Sequence, residues 1–180
     1  QEGDATGLRY LQRLIDLEPL HLDINALPDL LRAAEYMNFT GLNITYPCKQ
    51  AILPLLDELS DEARGIGAVN TVVFKDGKRI GHNTDCLGFA EGFRRNLNDV
   101  PRQRVVQMGA GGAGAAVAHA LLAAGVGQLS IFDVDPGRAQ SLADNLNQHF
   151  GPGRAQAGSD LDSAMAAADG LVNTTPMGMA

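Results

Sequence analysis

Gly109, Gly111 and Gly114 fall at the spacing G-x-G-x-x-G, inside the run Gly109-Ala110-Gly111-Gly112-Ala113-Gly114. The apolar segment Arg104 to Met108 precedes this run, and Ala115 to Ala124 follows it. A second apolar segment, Leu129 to Phe132, ends in Asp133. Strand, glycine turn, helix, strand and terminal acid together form the context in which this spacing binds a dinucleotide. Gly109 permits the tight turn, Gly111 lets backbone approach a pyrophosphate, and Gly114 lets the helix pack close to the sheet. The helix N-terminus offers unpaired N–H groups and the positive end of its dipole to the phosphates. Asp133 would accept hydrogen bonds from the adenosine ribose and repel a 2′-phosphate, which favours NAD over NADP. A glycine turn in an ordinary α/β domain is the alternative. Strand, helix and acid in register weigh against it.

A second set of polar residues lies in the first half. Asn43, Thr45 and Lys49 follow one another at a predicted strand-to-helix turn. Asn70 and Thr71 interrupt the apolar run Ala68 to Phe74, and Asn83-Thr84-Asp85 opens a later helix. Asn and Thr are suitable partners for a polyol. Oxidising an alcohol needs a base at the hydroxyl and a hydride acceptor beside its carbon. A lysine can be that base only where its site lowers a reference pKa of about 10.4. A nearby aspartate holds the lysine and shares its proton, although its charge alone raises that pKa. Taken singly, Lys49 reads equally as a solvated helix-start residue and Asp85 as an N-cap.

These residues need elements to position them. The second half alternates strand and helix, with strands predicted at 104–108, 128–132, 170–173 and near 154–157. Helices are predicted at 112–124, 136–149 and 161–168, the second with Asp135 as N-cap and Pro136 in its first turn. Such alternation implies a parallel sheet with right-handed crossovers, and ligands bind beyond the carboxyl ends of its strands. The glycine turn, Asp133 and Asn173-Thr174-Thr175 all fall at those ends. In the first half, the apolar spacing predicts a helix over 27–37 and a short strand over 41–45. Residues 47–59 read as partly helical, broken at Pro54. A hairpin over 68–74 and 79–83 turns on Asp76-Gly77, and a helix runs over 84–97. Residues 10–17 are ambiguous between strand and helix. The fold class is α/β.

The chain has 180 residues, 45% hydrophobic and 19% charged, as in globular domains. A net charge of −7 argues against a nucleic-acid partner. No apolar run reaches the roughly 18–20 residues of a membrane helix, and no signal peptide is visible. Cys48 and Cys86 lack C-x-x-C spacing, and His21, His82, His119 and His149 are scattered, so no metal site is expected. Each histidine is expected to be a surface or structural residue. A cytoplasmic location is the default. The chain starts without Met and stops in Met177-Gly178-Met179-Ala180, where a cofactor loop should continue, so it reads as a fragment.

Five ordered blocks resemble the shikimate dehydrogenase family. Gly41-Leu42-Asn43-Ile44-Thr45-Tyr46-Pro47-Cys48-Lys49-Gln50 is similar to its G-x-N-[VI]-T-x-P-x-K signature. Gly67-Ala68-Val69-Asn70-Thr71 and Gly81-His82-Asn83-Thr84-Asp85 resemble the next two blocks. The glycine turn and Asn173-Thr174-Thr175-Pro176-Met177-Gly178-Met179 resemble the last two. The resemblance implies Lys49 and Asp85 as the catalytic pair, with Thr45 and Asn70 joining them on the substrate. It implies an N-terminal α/β substrate domain over 1–86, a connecting helix and linker over 87–100, and a Rossmann-type doubly wound dinucleotide-binding domain over 101–180. Thr175, Pro176, Met177 and Gly178 would meet the nicotinamide.

Where NADP-dependent members carry an Asn-Arg-[TS] run, this chain has Phe132-Asp133-Val134-Asp135-Pro136-Gly137-Arg138. That resembles the NAD-preferring quinate/shikimate branch. Arg138 would touch the adenosine end, brace the loop, or stand as a solvated helix-start arginine. The family's N-terminal S-x-[ST]-P segment and its C-terminal helices are not in the sequence. The implied activity is hydride transfer between NAD and the ring hydroxyl of quinate or shikimate, by a monomer or homodimer. The alternatives are the NADP-dependent biosynthetic enzyme and a non-catalytic dinucleotide sensor.

Overall fold

The structure is a computed structural model that describes residues 5–7, 9–97 and 99–177. Its first sheet has strands β1 (Gly41–Asn43), β2 (Glu58–Leu59), β3 (Thr71–Lys75) and β4 (Lys78–His82), in the order β1-β3-β4-β2. β1 and β4 run antiparallel to β3, and β2 runs parallel to β4. The hairpin turns on Asp76 and Gly77, both with positive φ, as a two-residue turn between right-twisted strands requires. Helix α1 (Leu27–Tyr36) covers this sheet with Leu27, Leu31 and Ala34. A bidentate pair from Arg79 to Glu35, both contacts at 2.7 Å, ties it to β4.

Helix α2 (Cys48–Ala51) is one turn long, and a 3-10 turn over Leu53–Leu55 leads into β2. β2 stands where helix was expected. A two-residue strand held only by its neighbour leaves no periodicity to read. Helix α3 (Asp61–Ile66) is capped by Ser60, whose Oγ accepts from Ala63 N, and stops at Gly67 in the left-handed region. The hairpin strand begins at Thr71 rather than at 68: Val69 N is turned to Lys49 O, and pairing with β4 starts only where Asn70 N donates to His82 O. Residues 10–17 form no regular element.

Helix α4 (Asp85–Asn96) leads to the second half. There β5 (Arg104–Met108), α5 (Gly112–Ala123), β6 (Gln128–Phe132), α6 (Pro136–Phe150), β7 (Ala155–Ala157), α7 (Leu161–Ala166) and β8 (Gly170–Asn173) alternate. The strands are all parallel, in the order β7-β6-β5-β8. The chain therefore steps outward from β5 to β7 and returns to pair β8 on the other side of β5. That reversal creates a crevice above the carboxyl ends of β5 and β8. β5 is buried on both faces through Val105, Val106 and Gln107, whereas β6 alternates and buries Leu129 and Ile131 on one face. Ile66 and Ala68 from the first half and Cys86 from α4 belong to the apolar core of this sheet and its helices.

Candidate functional site

The polar residues of the first half converge through backbone pairing. Ile44 N donates to Asn70 O at 2.7 Å, so Thr45 leaves β1 beside Asn70. Lys49 O accepts from Val69 N at 2.8 Å, which fixes the start of α2 against the same segment. Lys49 Nζ donates to Asp85 Oδ2 at 2.5 Å, and Asn70 Nδ2 donates to Asp85 Oδ1 at 2.9 Å. Asn70 also donates to Thr84 Oγ1 and accepts from Thr84 N and Thr71 Oγ1. Its amide, expected to face a substrate, is fully engaged with protein and holds Asp85 in place. The lysine side chain is 17% exposed and the aspartate 39%, so the pair lies at the edge of the protein rather than within its core. Thr45 is exposed.

Asn83 works beneath them. Its Nδ2 donates to Ala68 O, and its Oδ1 accepts from Asp85 N and Cys86 N at the head of α4. Asp85 thus takes its backbone position from Asn83 and its carboxylate orientation from Asn70 and Lys49.

The glycine turn follows β5. Gly109 has φ +100°, and a Cβ there would stand 2.7 Å from Thr174 Oγ1. A Cβ on Gly114 would stand 2.3 Å from Gly109 O, whereas one on Gly111 would meet open space. No side chain caps α5 at Gly111, so the first N–H groups of the helix face outward for an anion. The turn is braced on two sides. Gln107, fully buried, donates through Nε2 to Gly109 O and Gly114 O, each at 2.9 Å. Thr174 Oγ1 donates toward Met108 O and Gly109 O.

Asp133 stands at the end of β6. Its Oδ2 accepts from Ala110 N at 2.7 Å and its Oδ1 from Asp135 N at 2.9 Å. The carboxylate expected to read a ribose also clamps the turn. Asp135 caps α6 by accepting from Gly137 N, and Arg138 Nε lies 3.6 Å from its Oδ2. A cavity of about 400 Å³ opens here, lined by Gln50 and Ile66 of the first half and by Ala110, Ala115, Arg138 and Asn145 of the second. Thr175 N and Oγ1 donate to Asn173 Oδ1 just beyond β8, with Pro176 and Met177 exposed. Gly178 lies outside the described residues.

The two halves touch at the site. A Cβ on Gly112 would come within 2.8 Å of Lys49 Cβ, so the lysine stem crosses the start of α5. Beside this seam the rings of His119, His149 and Phe150 cluster in tilted and edge-to-face contacts, with centroids 4.7–4.9 Å apart. Cys86 Sγ lies 3.8 Å from His119 Nδ1. Burial pushes the His119 pKa down, helped by His149 and opposed by Glu62. The Cys86 thiol is pushed up, chiefly by burial. Two of the scattered histidines are therefore neighbours, with structural surroundings. Sequence reasoning missed Gln107, Thr174 and Asn83 as braces. A glutamine inside the strand Arg104-Val105-Val106-Gln107-Met108 was the one available signal.

A parallel sheet with a glycine turn at its switch point, joined to a smaller mixed sheet that sets a lysine–aspartate pair against the turn, defines a two-part α/β protein with a Rossmann-type domain. Residues 5–72 match the family model described as the shikimate dehydrogenase substrate binding domain. The whole chain is 53% identical to a shikimate dehydrogenase (NADP(+)) of Streptomyces avermitilis, covering 62% of it. It is 51% identical over 99% of its length to a quinate/shikimate dehydrogenase (NAD(+)) of Corynebacterium efficiens, covering 64%. The solved quinate dehydrogenase from Corynebacterium glutamicum in complex with NAD matches with a TM-score of 0.86 and 47% identity, over 98% of this chain and 64% of that one. Nearly the whole chain is thus similar to shikimate and quinate/shikimate dehydrogenases, and it spans a little under two thirds of the length of these relatives.

Proposed function

We propose that the protein carrying this chain is an oxidoreductase that exchanges a hydride between NAD and the ring hydroxyl of quinate or shikimate, forming 3-dehydroquinate or 3-dehydroshikimate. The observation that carries this reading is the Lys49–Asp85 pair, oriented by Asn70 and lying against the glycine turn. Residues 1–86 would take the substrate and 101–180 the cofactor, with 87–100 between them. The residues present suit NAD: an uncapped helix start, open space at Gly111 and a carboxylate at Asp133. Gly109, Ala110, Gly111, Gly112, Ala113 and Gly114 would meet the pyrophosphate. Asp133 would take the ribose and Arg138 the adenosine end, and Thr175, Pro176, Met177 and Gly178 would flank the nicotinamide. When bound, NAD supplies the hydride acceptor.

Substrate hydroxyls would lie against Thr45, Lys49 and Asp85, with Asn70 acting through the carboxylate it holds. The neutral Lys49 amine takes the proton of the reacting hydroxyl, and Asp85 stabilises the ammonium formed. In reverse, the Lys49 ammonium protonates the carbonyl oxygen as it becomes an alcohol. Within this reading the protein is cytoplasmic, a monomer or homodimer, and acts on small molecules alone.

NADP is the second reading, favoured by the 53% identity to a relative whose name carries NADP(+). Against it, a 2′-phosphate would meet the Asp133 carboxylate. Steady-state rates of the full-length protein with quinate and shikimate, each with NAD and NADP, test both. Turnover with NAD well above that with NADP is expected, and Lys49→Ala should abolish it. A Lys49→Ala protein that keeps its rate within a few-fold would sink the role given to the lysine.

A further inference from the structure

Gly112 has no evident reason to be glycine. Gly109 needs its positive φ, Gly114 has no room for a Cβ beside Gly109 O, and Gly111 leaves an open approach. Gly112 has no left-handed φ and begins the regular part of α5, where alanine would favour the helix more than glycine does. Its bare Cα is occupied from outside. A Cβ placed there would stand 2.8 Å from Lys49 Cβ, 3.2 Å from Cδ and 3.5 Å from Cγ. All three atoms belong to the stem of one side chain. That stem has little freedom to move aside, because Lys49 O is held by Val69 N and Nζ by Asp85 Oδ2.

We infer that Gly112 is a positioning residue for Lys49: its missing side chain lets the lysine stem lie across the turn with Nζ still on Asp85, and so sets how closely the two halves meet. This rests on the function proposed above, since it assigns Gly112 a part in placing the base. A methyl group at 112 must push the lysine off Asp85 or hold the halves apart. The N–H of residue 112, which would serve a phosphate, survives in an alanine variant.

The experiment compares Gly112→Ala with the parent in the full-length protein. It reads kcat with quinate or shikimate, NAD affinity by calorimetry without the second substrate, and thermal midpoints with and without Lys49→Gly, which removes the whole stem including Cβ. A kcat lowered about tenfold or more is expected from a displaced base, with NAD affinity falling much less than the rate because the backbone donor remains. With Lys49 intact the alanine should lower the midpoint. With Lys49→Gly it should raise it, since the Cβ, Cγ and Cδ it would meet are gone and the better helix former remains. A kcat within twofold of the parent, an NAD affinity that falls as far as the rate, or the same midpoint shift in both backgrounds overturns the inference. A parent protein with no turnover on either substrate would defeat the proposed function instead, while the sign reversal of the midpoint would still test the contact.

Discussion

Asn70 Nδ2 and Lys49 Nζ hold opposite oxygens of the Asp85 carboxylate, at 2.9 and 2.5 Å. The carboxylate is thereby fixed from two directions by groups on different elements. One of them is an amide with no remaining hydrogen to offer.

Asn70→Ala should therefore act on Asp85. It strips partners from Asp85 Oδ1, Thr84 N and Thr71 Oγ1 in a largely buried setting. A loss of about 1–3 kcal/mol is expected in urea unfolding, the usual cost of buried groups left unsatisfied. Under the proposed function, kcat should fall by roughly tenfold to a hundredfold through the misplaced carboxylate. A change confined to KM would instead mark Asn70 as a substrate contact.

At Asp133, charge and hydrogen bonding can be separated. Asp133→Asn keeps an acceptor for Ala110 N and removes the charge, so preference for NAD over NADP should narrow with only a small fall in melting temperature. Asp133→Ala should narrow it too, with a further loss of about 1–2 kcal/mol because the turn loses its clamp. A cofactor preference unmoved by Asp133→Asn would rule out the electrostatic account.

Gln107→Leu fills nearly the same space but removes the donor shared by Gly109 O and Gly114 O. NAD should bind more weakly, by roughly five- to tenfold if about 1–1.4 kcal/mol of turn bracing is lost. Substrate affinity in the absence of NAD should not change. Isothermal calorimetry with each ligand alone checks the split.

The seam histidine predicts a pH effect with a definite sign. The His119 pKa is lowered in the folded protein, mainly by burial. Below the ordinary histidine value of about 6.5 the unfolded chain thus binds the proton more readily than the folded one, and stability falls as pH drops through that value. His149 and Cys86 face His119 directly, and Glu62 opposes the shift. His119 Nε2 is buried without a partner, so His119→Leu should cost little at pH 7.5. It should flatten the decline in urea midpoint between pH 7 and 5.5. An unchanged slope would place the titration elsewhere.

Much of the second half was legible because local spacing and global fold agree there. β5, β6 and β8 run where the apolar segments put them, and each motif glycine meets the constraint its position implies. The first half was harder. β2 is two residues long and exists only through its pairing with β4. Asn70 reads as a ligand by type, yet its partners lie 14 and 15 residues away and only the fold reveals them. Gln107 and Thr174 act on main-chain carbonyls, and such contacts leave no pattern in side-chain types. The residues themselves were visible, while their division into those that touch a ligand and those that hold the others is a product of tertiary packing.

Ile66, Ala68 and Cys86 lie inside the apolar core otherwise built from α5, α6 and the parallel sheet. The boundary drawn along the sequence is therefore not where the interior divides. A chimera that exchanged the pocket half with that of a distant relative would carry the wrong plugs into this core. Grafts that respect it would have to move Ile66, Ala68 and Cys86 together with the α5 and α6 positions they fill, so that inheritance of the two halves is coupled even where their chemistry is separate.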